Sequence, residues 1–241
     1  MKKTFALSLI AVISKVAVAQ STEIVTDRPD ITESAEVVPT GWLQGEHGFQ
    51  YTFSRHPQFD LASSLLRFGI NTHTELRLGI EPSIGIEEPT NLYNQQLSIG
   101  AKSILLNKSR YQFGLLTTLS TGFTESDANN LNHAADIVLL GAVDLFAFWS
   151  IGYNLGSNWQ SNESGTLVNY SVSNALALGN YCSYFIEIFG QLNSYASNTT
   201  AIDIGFTYLL NNNLQLDLSG GYFFNEETTF LSTGFAYRFA L

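Results

Sequence analysis

From about residue 40 onward, apolar and polar side chains alternate with a period of two. In the last stretch Leu231, Thr233, Phe235, Tyr237 and Phe239 share one face, and Ser232, Gly234, Ala236 and Arg238 share the other. Leu214, Leu216, Leu218 and Tyr222 alternate with Gln215, Asp217, Ser219 and Gly221. Ile202, Ile204, Phe206 and Tyr208 alternate with Asp203, Gly205 and Thr207, and Leu43, His47, Phe49, Tyr51 and Phe53 with Gln44, Glu46, Gly48, Gln50 and Thr52. Successive side chains of a strand point to opposite faces, so this period predicts strands and cannot build one face of a helix. The polar face is small and amide-rich, with single charges. A soluble sandwich would bury its apolar face and carry Lys and Glu outside, whereas a crowded, hydrated lumen wants this composition.

Twelve such segments are predicted, near 41–54, 60–71, 74–86, 93–106, 110–123, 135–147, 149–157, 166–178, 181–192, 199–210, 213–224 and 230–239. If the seventh dissolves, ten strands remain. The connections alternate in length. Asn71-Thr72-His73, Asn107-Lys108-Ser109, Phe148, Gly179-Asn180 and Asn211-Asn212 are short, while TESDANNLNHA (124–134) and NWQSNESG (158–165) are long and polar. Short turns at one end and long loops at the other predict an all-β, antiparallel, up-and-down transmembrane barrel with both termini in the periplasm. Trp42, Tyr51, Phe53, Tyr111, Tyr181, Tyr208, Tyr222, Phe223 and Phe239 fall near segment ends, where aromatic rings suit a membrane interface.

Composition sharpens this picture. Of 241 residues, 45% are hydrophobic and 13% charged, against about a quarter charged in ordinary soluble chains. No apolar run approaches the ~20 residues that a membrane helix needs. Lys2 and Lys3, the apolar run Phe5–Val18 and Ala17-Val18-Ala19 read as a cleaved signal peptide over residues 1–19. Cleavage after Ala19 leaves 8 basic against 21 acidic residues, a balance that disfavours nucleic acid as a partner. A single cysteine, Cys182, cannot form an internal disulfide, and its register turns it toward lipid. The domain plan is therefore a signal peptide (1–19), an N-terminal segment (20–40) and a barrel (41–241).

The segment before the barrel reads differently. Thr26-Asp27-Arg28-Pro29-Asp30 is too charged for a lipid-facing strand, and Pro29 cannot donate to a ladder. The pattern TDRPD-x-TESAEVVP-x-GW, Thr26 to Trp42, resembles the start of Bacteroidetes-type outer-membrane transporter barrels. These belong with the family named for a phenol-degradation (meta-pathway) outer-membrane component. Thr74-Glu75-Leu76-Arg77-Leu78-Gly79 and the closing Tyr237-Arg238-Phe239 are similar to its later strands. The resemblance implies a transport role without a defined substrate. Physically, Asp27, Arg28, Asp30 and Glu33 can form a plug or constriction at or in the periplasmic mouth, with Arg28 making a bidentate carboxylate contact. A solvated periplasmic tail is the alternative.

The alternation turns twelve charges toward the lumen: Glu46, Arg67, Glu75, Arg77, Glu81, Lys102, Asp136, Asp144, Glu187, Asp203, Asp217 and Arg238. Eight are acids and four are bases, which favours cations or neutral polar solutes. No Ser-His-acid pattern is evident around His47, His56, His73 or His133, and no His/Cys spacing suits zinc. The expected role is therefore non-enzymatic: passive passage of small solutes through the outer membrane, with no cofactor. Membrane lipid, the solutes and the barrel-insertion machinery are the expected partners. A barrel hydrolase acting on lipid, or a closed structural or adhesive barrel, are the rival readings.

Overall fold

The structure is a computed structural model and describes residues 23–86, 92–124, 131–161, 165–193 and 197–241. The signal-peptide segment lies outside the described residues. Twelve strands follow in order: β1 (Trp42–Phe53), β2 (Gln58–Asn71), β3 (Thr74–Gly85), β4 (Leu92–Asn107), β5 (Tyr111–Thr124), β6 (Asn132–Phe146), β7 (Trp149–Gln160), β8 (Thr166–Leu178), β9 (Cys182–Asn193), β10 (Thr199–Asn211), β11 (Leu214–Phe223) and β12 (Thr228–Ala240). Each pairs antiparallel with its sequence neighbours, and β1 pairs with β12 from Trp42↔Ala240 to Phe53↔Thr229 without a register shift. This closure removes every sheet edge, which a bilayer requires because lipid cannot satisfy free backbone N–H and C=O groups.

The two faces are inverted relative to a soluble domain. Leu76 and Leu78 on β3, Ile137 and Leu139 on β6, Ile204 and Phe206 on β10, and Leu216 and Leu218 on β11 are exposed. Gln44, Glu46, Arg67, Glu75, Lys102, Glu187 and Asp203 are buried. An apolar belt that faces outward is stable only against hydrocarbon. Cys182 stands half-buried at the start of β9, on the outward-facing alternation.

Three features depart from the alternation read along the chain. First, strands outlast their apolar stretch at the loop end: β7 continues through Asn158, Trp159 and Gln160, paired with Ala134 to Asp136 of β6. Ladder bonds need only a partner strand, so pairing persists beyond the hydrocarbon where polar residues are hydrated. The remainder of the two long polar loops falls mostly outside the described residues. Second, Trp42 and Phe223 turn inward. Trp42 lies under the Arg238 guanidinium (5.1 Å to the ring centroid), and Phe223 packs on the buried cluster of Phe189, Ala201 and Phe230. Third, β2 carries an extra residue near Ala62, whose φ is 48°, and its pairing with both β1 and β3 shifts there. A one-residue insertion flips the faces beyond it. Asp60, opposite Gln50 and Ser83, therefore joins the lumen wall.

Leu139 sits at the middle of β6 on the outward face. Leu139→Arg is expected to destabilise the barrel by about 2–4 kcal/mol in chemical unfolding measured in lipid vesicles.

Candidate functional site

The segment from residue 23 to Gly41 folds back into the barrel. It enters beside the β10–β11 turn, where the Ile24 N–H donates to the Asn212 carbonyl (2.8 Å), and leaves where the Gly41 N–H donates to the Gly69 carbonyl (2.8 Å). Both ends therefore lie at the short-turn mouth, and the loop between them occupies the lumen. Its backbone polar groups lack a sheet to pair with, so lumen side chains must satisfy them.

Within the segment, Asp27 is the most heavily bonded side chain. It is 7% exposed, and Lys102 Nζ approaches its two oxygens at 2.8 and 2.6 Å. Arg67 and Arg77 reach the same carboxylate at 3.1 and 3.3 Å, and the Ser34 N–H and hydroxyl donate to it from within the loop. Burial alone would raise the Asp27 pKa, but Arg67, Lys102 and Arg77 together hold it well below the usual carboxylate range. Each of the three cations has a further carboxylate partner, on the wall or on the loop. Arg67 donates to Glu46 (2.7 Å) and to Glu75 (2.8 Å), and Arg77 pairs with Glu33 of the loop. Lys102 lies 3.2 Å from Glu33 as well.

Arg28 turns to the neighbouring stretch of wall formed by β1, β12 and β11. Its Nη2 donates to Asp217 (2.9 Å) and to Ser232 (3.2 Å), and its Nε to the second Asp217 oxygen (3.4 Å). The guanidinium lies over Gly48 and Gly234, which pair directly across β1 and β12. A Cβ on Gly48 would stand 2.0 Å from Arg28 Nη1, so these glycines make the room that the guanidinium fills.

The tip is held by hydrogen bonds. The Ile31 N–H and the Thr32 hydroxyl both donate to Glu187, and Thr32 also meets the Ser171 hydroxyl at 2.8 Å. The Glu33 N–H donates to Asn154 Oδ1 (2.7 Å), whose amide nitrogen returns a bond to the Glu33 carbonyl (3.1 Å). On the way out, the Val38 N–H donates to Glu75 (2.7 Å), and buried Ala35 packs on Leu116 and Leu140. Asp30 sits near Glu187 and Asp203. Burial first, and the charge of Glu187 second, push its pKa well above the usual range.

The remaining inward charges have other surroundings. Asp203 is buried, Asp136 accepts a bond from Asn158 (2.7 Å), and Arg238 donates to Asn213 (3.0 Å) near the mouth. Asp144 is exposed at the short-turn end, and Glu81 is exposed to the lumen. Gln44, Asn154, Ser171 and Gln215, which bond the loop, escape a search for charges; inward amides and hydroxyls at its depth are their only sequence signal.

Two histidines, His47 and His73, have neighbours that do not activate a nucleophile. His47 Nδ1 lies 2.8 Å from Ser64 Oγ on the outer face, but Ser64 spends its proton on the Ala62 carbonyl (2.7 Å). The imidazole must then donate to the serine, the reverse of what activates a nucleophile. His73 contacts Thr72 within a turn, at 2.8 Å.

A closed twelve-stranded barrel with an outward apolar belt and a charged, partly filled lumen is an outer-membrane β-barrel. Residues 26–239 match the family model described as "Putative MetA-pathway of phenol degradation", and the chain belongs to that family. Among solved structures it is similar to the COG4313 outer membrane channel from Pseudomonas putida F1 (TM-score 0.65, 14% identity, 85% of this chain and 98% of that one). A KdgM porin gives a TM-score of 0.58 at 10% identity over 80% of this chain and 98% of that one. The translocator domain of the autotransporter NalP from Neisseria meningitidis gives 0.55 at 13% identity, over 84% and 90%. No curated protein matches the chain.

Two outcomes follow from this geometry. Gly48→Ala should displace Arg28 while leaving strand pairing intact, so amides of residues 24–33 exchange faster in hydrogen-exchange mass spectrometry and strand amides do not. The pH response should have two parts. Asp27, held low, contributes stability above its ordinary value near 3.8 and loses it only as pH falls far below that. Asp30, held high, favours its protonated form, so its carboxyl weakens the docked loop as pH rises above 3.8. Asp30→Asn should therefore raise the melting temperature at pH 7, with the gain vanishing near pH 4.

Proposed function

We propose that this protein is a passive, narrow outer-membrane channel for small neutral or cationic solutes, constricted on its periplasmic side by residues 23–40. The observation that carries the reading is the contrast between the two halves of the lumen. The inner half is filled by the loop, and its cations are paired: Lys102, Arg67 and Arg77 with Asp27, Arg77 also with Glu33, and Arg28 with Asp217. The outer half holds cavities of about 480 and 440 Å³. Asp60, Glu81 and Asp136 line them, and among the described residues no cation pairs with these three. Uncompensated carboxylates in a confined space attract cations and repel anions more strongly than on an open surface.

Fold alone does not choose this function, since an autotransporter translocator domain shares the architecture. The family and the open, acidic outer lumen support it. Single-channel recording in planar bilayers tests it, comparing the full chain with a form lacking residues 23–38. Stable steps in the full chain that grow in the deletion, with cations permeating better than anions, are expected. Steps of equal size would remove the constriction, and silence from both folded forms would turn the reading toward a closed barrel acting through its outer loops. Asp60→Asn combined with Glu81→Gln should lower cation preference in reversal-potential measurements without changing barrel melting.

A further inference from the structure

Above the loop, one cavity has two unlike sides. Ile31, at the loop tip, is 53% exposed although it points into the barrel interior. With Leu116, Val138 and Phe189 it forms an apolar wall in the cavity of about 440 Å³. An isoleucine left open inside a hydrated space loses the benefit of burial, so its exposure calls for an occupant.

The facing side joins amides and hydroxyls to two carboxylates, Glu81 and Asp136, with which no cation pairs among the described residues. The Asn154 amide N–H groups serve the Glu33 and Tyr153 carbonyls, and Gln191 donates to Asn169 (2.9 Å). Asn158, outside the cavity lining, donates to Asp136 (2.7 Å) and fixes its carboxylate. The Glu81 carboxylate lines the same cavity as Asp136. Two carboxylates without a paired cation favour a positive guest, and one bearing several N–H groups can bond both. A hydroxyl compound would supply one donor and no charge. An anion would be repelled.

We propose that this cavity is a binding site for small organic ammonium ions with an apolar body. The ammonium sits between Asp136 and Glu81, and the body lies against Ile31 and Phe189. The inference rests on the reading of the lumen as a solute path and names the solute class that pauses there. It also gives the loop tip a second task, because Ile31 forms part of the site floor.

The test is isothermal titration of the full chain, folded in detergent micelles, with 2-phenylethylammonium, 2-phenylethanol and methylammonium as probes, and with empty micelles subtracted. Single-channel block by the same probes runs in parallel. The ammonium with the ring is expected to bind roughly tenfold more tightly than either partial probe. Ile31→Ser and Asp136→Asn should each remove that preference. Equal affinity for the three probes, or a preference that survives both substitutions, overturns the proposal. The expected preference in a chain that gives no conductance supports the site and overturns the channel reading. Conductance without the preference does the reverse.

Discussion

The interior of this barrel depends on one carboxylate. Arg67, Arg77 and Lys102 project from adjacent strands β2, β3 and β4 into the same space, and Asp27 lies within 3.3 Å of all three. Without it the wall offers two acids, Glu46 and Glu75, against three cations crowded in a medium of low effective dielectric. The N-terminal segment supplies Asp27 and Glu33, so the counter-ions of the wall arrive on a different part of the chain. Removing one partner from such a buried group costs about 3–5 kcal/mol, because the charge left behind is stranded. Wall and loop are therefore a single electrostatic unit rather than a pore with an accessory inside it.

That unit divides the lumen. Toward the short turns, the cations are paired with carboxylates and the backbone of the loop is satisfied by side chains such as Glu187, Asn154 and Glu75. Toward the long loops, Asp60, Glu81 and Asp136 keep their charge unpaired among the described residues, amides replace lysine and arginine, and space remains. On the proposed channel reading, recognition of solutes belongs to the second region and control of passage to the first. Glu33 and Ile31 stand at the border, one facing Arg77 and the other the open cavity.

Much of this was legible in the sequence. Period-two alternation and alternating loop lengths are local properties, and they led to a closed barrel of twelve strands with an N-terminal segment rich in charge. What escaped was whatever depends on partners far along the chain. Asp27 and Lys102 are 75 residues apart, and Arg28 and Asp217 are separated by 189, so no spacing rule joins them. Asp60 was hidden by the bulge near Ala62, which changes face parity without a glycine or proline to mark it. Trp42 and Phe223 look like interface aromatics by position, but register places them inside. The polar ends of β7 went unread because hydropathy reports where the hydrocarbon stops, not where backbone pairing stops.

The berth of Arg28 has a bearing on the order of assembly. Its floor is Gly48 of β1 and Gly234 of β12, and its counter-charge comes from β11. The first and last strands meet only when the cylinder seals, so this berth does not exist in any partly wound sheet. The N-terminal segment is made first yet finds its full set of partners last. Its docking thus reports completion: a chain whose terminal strands have not joined has nowhere to lodge the guanidinium and keeps that charged segment in water.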